Sequence, residues 1–411
     1  MKTKLLPFIL AVTVCLGLFA GCQSSKLGSY TADAAASASP SPEASDTATT
    51  TKDYTACYES YAPDEVMLSV NGIDVTWGEL FYWYENDVSN IESKYGDITD
   101  WDADCSFATG KTYHEYVMEN ALDTIKHYCA LQSKASDTGV VLTDEDKATL
   151  QTTWENNVTS YGNGDEATFI EYLNKAFLSK DLYDHINEVS MLYERMQENL
   201  FGANGEKISE TDVLQKAADM GYVRAKHILI STKDDSGTAL PDDQKAEKKA
   251  KAESILKELQ GITDKTKLEA KFDELITSDS NDPGKAYYTD GYTFQPGAGT
   301  MDSTFEAAVS ALGDYEISDI VETDYGYHII LRLPLIATAA VEYTSETEKT
   351  TLAYYVAQNM LTTETDNWAE ASTVEYTKTY EKMDIADVFS KATTVIAASP
   401  SPSPEATTPA N

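Results

Sequence analysis

Two short runs of strong strand formers, each holding one histidine, constrain this chain most. Val223 to Ile230 reads Val-Arg-Ala-Lys-His-Ile-Leu-Ile around His227, within a predicted strand from Tyr222 to Ser231. Tyr325 to Leu333 places His328 among Ile and Leu in the same manner. Between them, Pro241-Asp242 opens a Lys/Glu/Ala-rich stretch that predicts a helix to about Leu259. Leu268 to Ile276 predicts a second helix, Tyr287 to Phe294 an aromatic strand, and Phe305 to Leu312 a third helix. The order β-α-α-β-α-β predicts a small α+β domain over 222–333.

At 411 residues, the chain has room for two or three domains. Residues 54–220 predict a mostly helical domain. Val66 to Val70 is a short strand, Asn71-Gly72 a turn, and Thr76-x-x-Glu79 a capping box. Trp77, Leu80, Phe81 and Tyr84 then form an aromatic face at helical spacing. Further helices are predicted over 112–136, 143–160, 166–178 and 181–200, with Ser209 capping one more. Such apolar stripes serve either as core or as a groove for a polypeptide client. After the α+β region, Glu346 to Met360 predicts a helix, followed by Trp368 and the run Val374-Glu375-Tyr376. The segment 342–390 is too small to fold alone.

Lys2, Lys4 and the apolar run from Leu5 to Leu18 have the layout of an export signal over 1–21, too short for a good membrane span. Leu18-Phe19-Ala20-Gly21-Cys22 resembles a bacterial lipobox, with Phe19 departing from the usual Leu. That resemblance implies a diacylglycerol on Cys22. Residues 22–53 and 391–411, rich in Ser, Ala, Thr and Pro, predict disordered spacers.

The chain carries 68 acidic and 31 basic residues, a formal net charge of -37. So negative a surface argues against nucleic acid and against docking on anionic lipid through charge. Residues 222–333 account for only -8 of it, so the acidity is denser elsewhere. Cys57, Cys105 and Cys129 allow at most one internal disulfide, and buried free thiols are an equal reading. Scattered Cys and His give no zinc framework, and no metal is expected.

Four strings in 222–333 resemble the parvulin-type peptidyl-prolyl isomerases. Ala225-Lys226-His227-Ile228-Leu229 is similar to their opening strand, and Ser280-Asn281-Asp282-Pro283 to the loop that carries a catalytic Asp or Cys. Met301-x-x-x-Phe305-Glu306-x-Ala308 is similar to their proline-pocket helix. Ile317-Ser318-x-x-Val321-x-Thr323-x-x-Gly326-Tyr327-His328 is similar to their closing strand. Two departures stand out. Thr289-Asp290-Gly291-Tyr292 replaces the usual Gly-Asp-Leu-Gly, and the stretch from Phe294 to Met301 is two residues longer. Both affect the pocket rim near Tyr292 and Ala298.

The resemblance implies a catalytic set of His227, Asp282, His328 and Thr323, with the two histidines hydrogen-bonded across neighbouring strands. They serve folding or catalysis, and Asp282 either faces the substrate amide or caps the turn before Pro283. It implies a proline pocket of Met301, Phe305 and Tyr292, with Met301 and Phe305 one helical turn apart. Rotation about X-Pro faces a barrier of about 18–20 kcal/mol, and an apolar grip that favours the twisted amide needs no cofactor. The acidic loop Asp234-Asp235 and Asp242-Asp243 around Lys233 argues against a phosphorylated substrate.

The layout of leader, spacer, helical N-region, inserted isomerase domain and C-terminal helix resembles extracytoplasmic foldases of the PrsA and SurA type. In these, segments on either side of the isomerase pack into one chaperone domain. The expected fold class is therefore α+β. The expected function is isomerisation of X-Pro bonds in unfolded or newly exported polypeptides, at a membrane to which Cys22 is lipid-anchored. The alternative is a holdase whose parvulin domain grips clients but is nearly inactive.

Overall fold

A computed structural model describes residues 50–343 and 348–396. Cys22, the leader and most of both spacers lie outside the described residues. Two short elements open the described chain, β1 (Thr50–Asp53) and α1 (Thr55–Tyr58). Then β2 (Val66–Val70) and β3 (Ile73–Thr76) form a hairpin whose turn residues, Asn71 and Gly72, both have positive φ. Asn-Gly is the pair that adopts this geometry at least cost. The Thr76 hydroxyl accepts from the Glu79 N–H and starts α2 (Trp77–Tyr95). Capping boxes at Thr112/Glu115 and Thr143/Asp146 start α3 (Tyr113–Thr138) and α4 (Asp144–Tyr161). Asp165 caps α5 (Glu166–Asn174), α6 follows over Lys180–Phe201, and Ser209 caps α7 (Glu210–Asp219).

The α+β region comprises β4 (Val223–Ser231), α8 (Asp242–Gln260), α9 (Lys265–Asp279), β5 (Tyr292–Phe294), α10 (Ser303–Ala311), β6 (Val321–Thr323) and β7 (Gly326–Leu333). The chain continues as β8 (Ala340–Tyr343), β9 (Lys349–Thr351), α11 (Leu352–Glu370), β10 (Val374–Tyr376), α12 (Ile385–Phe389) and β11 (Thr393–Ile396).

The described residues fall into two compact units, 50–193 with 365–396, and 194–343 with 348–364. In the first, β10 pairs antiparallel with β2 to give the sheet order β10-β2-β3. Its core holds Trp77, Phe81, Tyr84 and Val117, and Phe389 stacks on Phe81 at 5.7 Å. The predicted aromatic face of α2 is thus core: Trp77, Leu80, Phe81 and Tyr84 are all fully buried. Each such side chain contributes roughly 1.5–3 kcal/mol through burial. Cys57, Cys105 and Cys129 are free and buried, and burial pushes the Cys57 and Cys129 thiols up to about 11 and about 12.

In the second unit, β4 and β7 are the two central strands of an antiparallel sheet ordered β5-β4-β7-β6. Alternation sorts their side chains. Ile228, Ile230, Ile329 and Leu331 pack under α8 and α9, whereas Val223, Ala225 and Ile330 pack under α10. Both strands are covered on both faces, which explains their near-continuous apolar character.

Several expectations need correction. Thr50–Asp53 and Thr393–Ile396, read as spacer and tail, pair with each other as β1 and β11. Their β-branched residues favour the strand. The segment 342–390 divides. Leu352 and Val356 of α11 pack on Val213, Ala217 and Tyr222, so this part and α7 belong to the unit that holds the α+β region. The helix read as Glu346–Met360 begins at Leu352 instead, after β9, and runs on past Trp368. The strand read as Tyr287–Phe294 is only Tyr292–Phe294, because the Tyr287 and Tyr288 amides turn back to the Gly284 carbonyl and the Gly291 amide to that of Tyr288. The three-residue β6, too short to leave a periodic signal, is an addition to the expected order.

Candidate active site

The register of β4 and β7 places His227 opposite Ile330 and Leu229 opposite His328. The two histidines are therefore diagonal neighbours on the α10 face, and both are buried. Their Nδ1 atoms lie 3.0 Å apart, with the rings stacked at 5.2 Å.

Asp282 is brought to them by a loop that clips onto β4. Asn281 donates its N–H to the Leu229 carbonyl, and its Oδ1 accepts from the Ser231 N–H. Ser280 Oγ accepts from the Leu229 and Asp282 amides. Asp282 then uses its two oxygens differently. Oδ1 accepts from the Gly284 N–H and caps the turn, while Oδ2 lies 3.2 Å from His227 Nε2. Turn cap and site residue are the same side chain. Tyr292, from the edge strand β5, donates its hydroxyl to the same Oδ2 at 2.7 Å. At the far end, Thr323 Oγ1 lies 2.8 Å from His328 Nε2 and accepts from the Tyr325 N–H.

The result is one chain of contacts, Tyr292–Asp282–His227–His328–Thr323. Burial alone would raise the Asp282 carboxyl, but hydrogen bonding and charge from His227, with hydrogen bonds from Tyr292 and the Gly284 amide, hold it below the usual range. Asp282 is thus ionised at neutral pH. Burial, with the His227 charge, pushes the His328 imidazolium down to about 3, so this ring is neutral. Facing a carboxylate, His227 Nε2 carries a proton. One of the two Nδ1 atoms donates to the other, and His328 Nε2 pairs with the Thr323 hydroxyl.

Beside this chain lies an apolar cluster. Phe305 packs edge-on against His227 at 5.2 Å and His328 at 5.5 Å, and is nearly buried. Met301 and Tyr292 are partly buried against the same cluster. Met301 and Phe305 are not a helical turn apart. Asp302 caps α10 from outside, so Met301 precedes the helix and packs on the cluster from the loop. The lengthened loop is held by a residue the sequence reading gave no separate role. Buried Glu306 accepts from the Gly297 and Met301 amides at 2.7 and 3.4 Å. Its place four residues after an Asp cap-and-loop pattern gave no signal of that reach. Among the described residues no group of three His, Cys, Asp or Glu is disposed to hold a metal.

A four-stranded antiparallel sheet here carries paired histidines, a carboxylate and an apolar cluster. Residues 208–332 match the family described as the PPIC-type PPIASE domain. Two curated relatives, each called foldase protein PrsA, come from Staphylococcus aureus strains bovine RF122 / ET3-1 and MRSA252. Each is 32% identical over 170 residues, covering 39% of this chain and 49% of the relative. The chain thus spans about half the length of the curated relatives it matches. Among solved structures, PrsA from Bacillus subtilis covers 80% of this chain and 93% of its own at 19% identity, with a TM-score of 0.23. A SurA-like chaperone from Campylobacter jejuni covers 74% and 93% at 19% identity, with a TM-score of 0.22.

Proposed function

We propose that this protein is an extracytoplasmic foldase that isomerises X-Pro bonds in unfolded exported chains and is anchored to the membrane by a lipid on Cys22. The observation that carries the enzymatic part is the continuous chain from Tyr292 to Thr323 beside the Met301/Phe305 pocket. A proline ring held against Phe305 sits within reach of Asp282 and the histidine pair. The planar amide is more dipolar than the twisted transition state. A pocket that excludes water and offers apolar walls disfavours the planar form relative to the twisted one. Fixed, ionised Asp282 supplies a preorganised charge beside the rotating bond. In this reading His227, His328 and Thr323 position Asp282, while Met301, Phe305 and Tyr292 hold the ring.

The lipid anchor rests on the string ending in Cys22. No helix among the described residues is long and apolar enough to cross a membrane. Two acyl chains or more give stable anchoring without a span.

The test is cis–trans exchange of a proline peptide by NMR, with the chain lacking residues 1–22. Acceleration well above background supports the isomerase. Background exchange beside suppressed aggregation of an unfolded client would select the holdase instead, and the Tyr292 departure is the observation that favours that second reading. Labelling by a radioactive fatty acid, abolished by Cys22→Ser, tests the anchor.

A further inference from the structure

Beyond the pocket, four tyrosines form a continuous surface. Tyr292, hydrogen-bonded to Asp282, is stacked by Tyr288 at 4.3 Å with the planes 22° apart. Tyr343 lies edge-on to Tyr288 at 5.1 Å and 5.7 Å from Tyr287. Its hydroxyl donates to the Tyr287 carbonyl at 2.6 Å, which locks the outer end. Tyr343 stands on β8, beyond the 208–332 match, so the surface is completed by a strand that follows the isomerase region. Tyr287, at the outer end, is 41% exposed.

The surroundings are negative at both ends. Asp282 is ionised at the inner end, and Glu342, which accepts from the Tyr355 hydroxyl at 2.9 Å, adds its charge to burial in raising the Tyr288 phenol. The neighbouring cations of the chain are turned elsewhere. Lys285 donates to the Ile276, Thr277 and Ser280 carbonyls, Arg224 to those of Pro334 and Asp290, and Lys226 to Glu269 and Asp273. Electron-rich ring faces between two carboxylates attract a cation and give a neutral ring no comparable gain.

We propose that this tyrosine ladder is a subsite for a Lys or Arg side chain flanking the proline of the client, and that Tyr343 makes the β8 segment part of substrate recognition. The proposal rests on the isomerase reading. The long-range attraction of a chain with net charge -37 acts in the same direction, but salt screens it. Contact with the rings persists at higher salt.

The test measures binding and exchange separately for proline peptides bearing Arg, Lys, Leu, Phe or Glu beside the proline, at about 0.15 M salt. Arg and Lys peptides are expected to bind about fivefold or more tightly than Leu peptides. Tyr288→Leu with Tyr343→Leu should bring that ratio close to one, whereas Tyr288→Phe, which keeps the ring, should preserve it. A ratio unmoved by the double variant overturns the proposal, as does binding of Phe or Leu peptides as tight as Arg. Arg-selective binding without accelerated exchange would support the subsite and overturn the isomerase reading. Acceleration of all peptides alike would do the reverse.

Discussion

Gly284 and Tyr292 are matched to each other: a Cβ at residue 284 would collide with the Tyr292 hydroxyl. The absence of a side chain there is what lets the phenol reach Asp282 past the turn. Gly284 also gives its N–H to the other oxygen of the same carboxylate. One residue therefore makes room for one hydrogen bond to Asp282 and donates another.

Gly284→Ala should push Tyr292 off Asp282. Losing that hydrogen bond is worth ~1 kcal/mol, so exchange is expected to slow by about fivefold. Tyr292→Phe should give a similar loss in the Gly284 background and little further loss in the Gly284→Ala background. A double-mutant cycle on exchange rates reads this coupling. Additive effects would show that the two residues act separately.

Asp282→Ala should lower kcat/KM by about tenfold or more, equivalent to ~1.4 kcal/mol. It also strands the His227 Nε2–H and the Tyr292 hydroxyl in a buried site, at a stability cost of about 1–3 kcal/mol. Asp282→Asn keeps an acceptor but removes the charge. It should recover most of the stability and little of the rate, which thermal unfolding beside the exchange assay would resolve.

The buried histidine makes a prediction about pH. His328 binds a proton only near pH 3 when folded, against about 6.5 for an unfolded histidine. The unfolded state therefore takes up a proton first as pH falls. Stability from this group is full above about pH 6.5 and is lost on acidification toward pH 3, at up to ~1.4 kcal/mol per pH unit. Asp282 adds to the loss at the acid end, since its folded carboxyl titrates below the ordinary range. Glu79 and Asp87 in the other unit act oppositely. Burial raises both to about 7, so they favour folding at low pH and lose that contribution as pH rises. The measurement must therefore be local. Hydrogen exchange of β4 and β7 amides at pH 7, 6 and 5 should show protection falling with pH, and His328→Gln should flatten the trend.

Phe305 and Met301 should separate by their burial. Phe305→Ala removes a nearly buried ring from the α10 face and is expected to cost about 3–5 kcal/mol, enough to disturb the domain. Met301 is only partly buried and reaches in from the loop. Met301→Ala should raise KM several-fold with a melting temperature nearly unchanged, and Met301→Leu should restore it. Equal losses of stability for both would argue that Met301 is core.

The two histidine-bearing strands and the helices between them were legible because fully covered strands need near-continuous apolar runs. The caps at Thr76 and Ser209 likewise act within a few residues of themselves, so local spacing records them. Three of the short strands were not legible. β6, β9 and β10 have three residues each, and their hydrogen bonds depend on partners far along the chain. β10 pairs with β2 across some 300 residues, a relation no window of sequence contains.

What the sequence determined by itself was the chemistry available: two histidines, a carboxylate before Pro283, a methionine and a phenylalanine, in an order that resembles one family. Tertiary structure alone decided how they meet. It set the diagonal register that puts two Nδ1 atoms 3.0 Å apart, the loop that turns Asp282 toward His227, and the edge strand that brings Tyr292 to the same oxygen. It also gathered Tyr343 from beyond the isomerase region. Hydrogen bonds and ring contacts act over about 3 to 6 Å in space regardless of separation along the chain. Residue order can thus supply the groups, but only the packed sheet and its loops fix their distances.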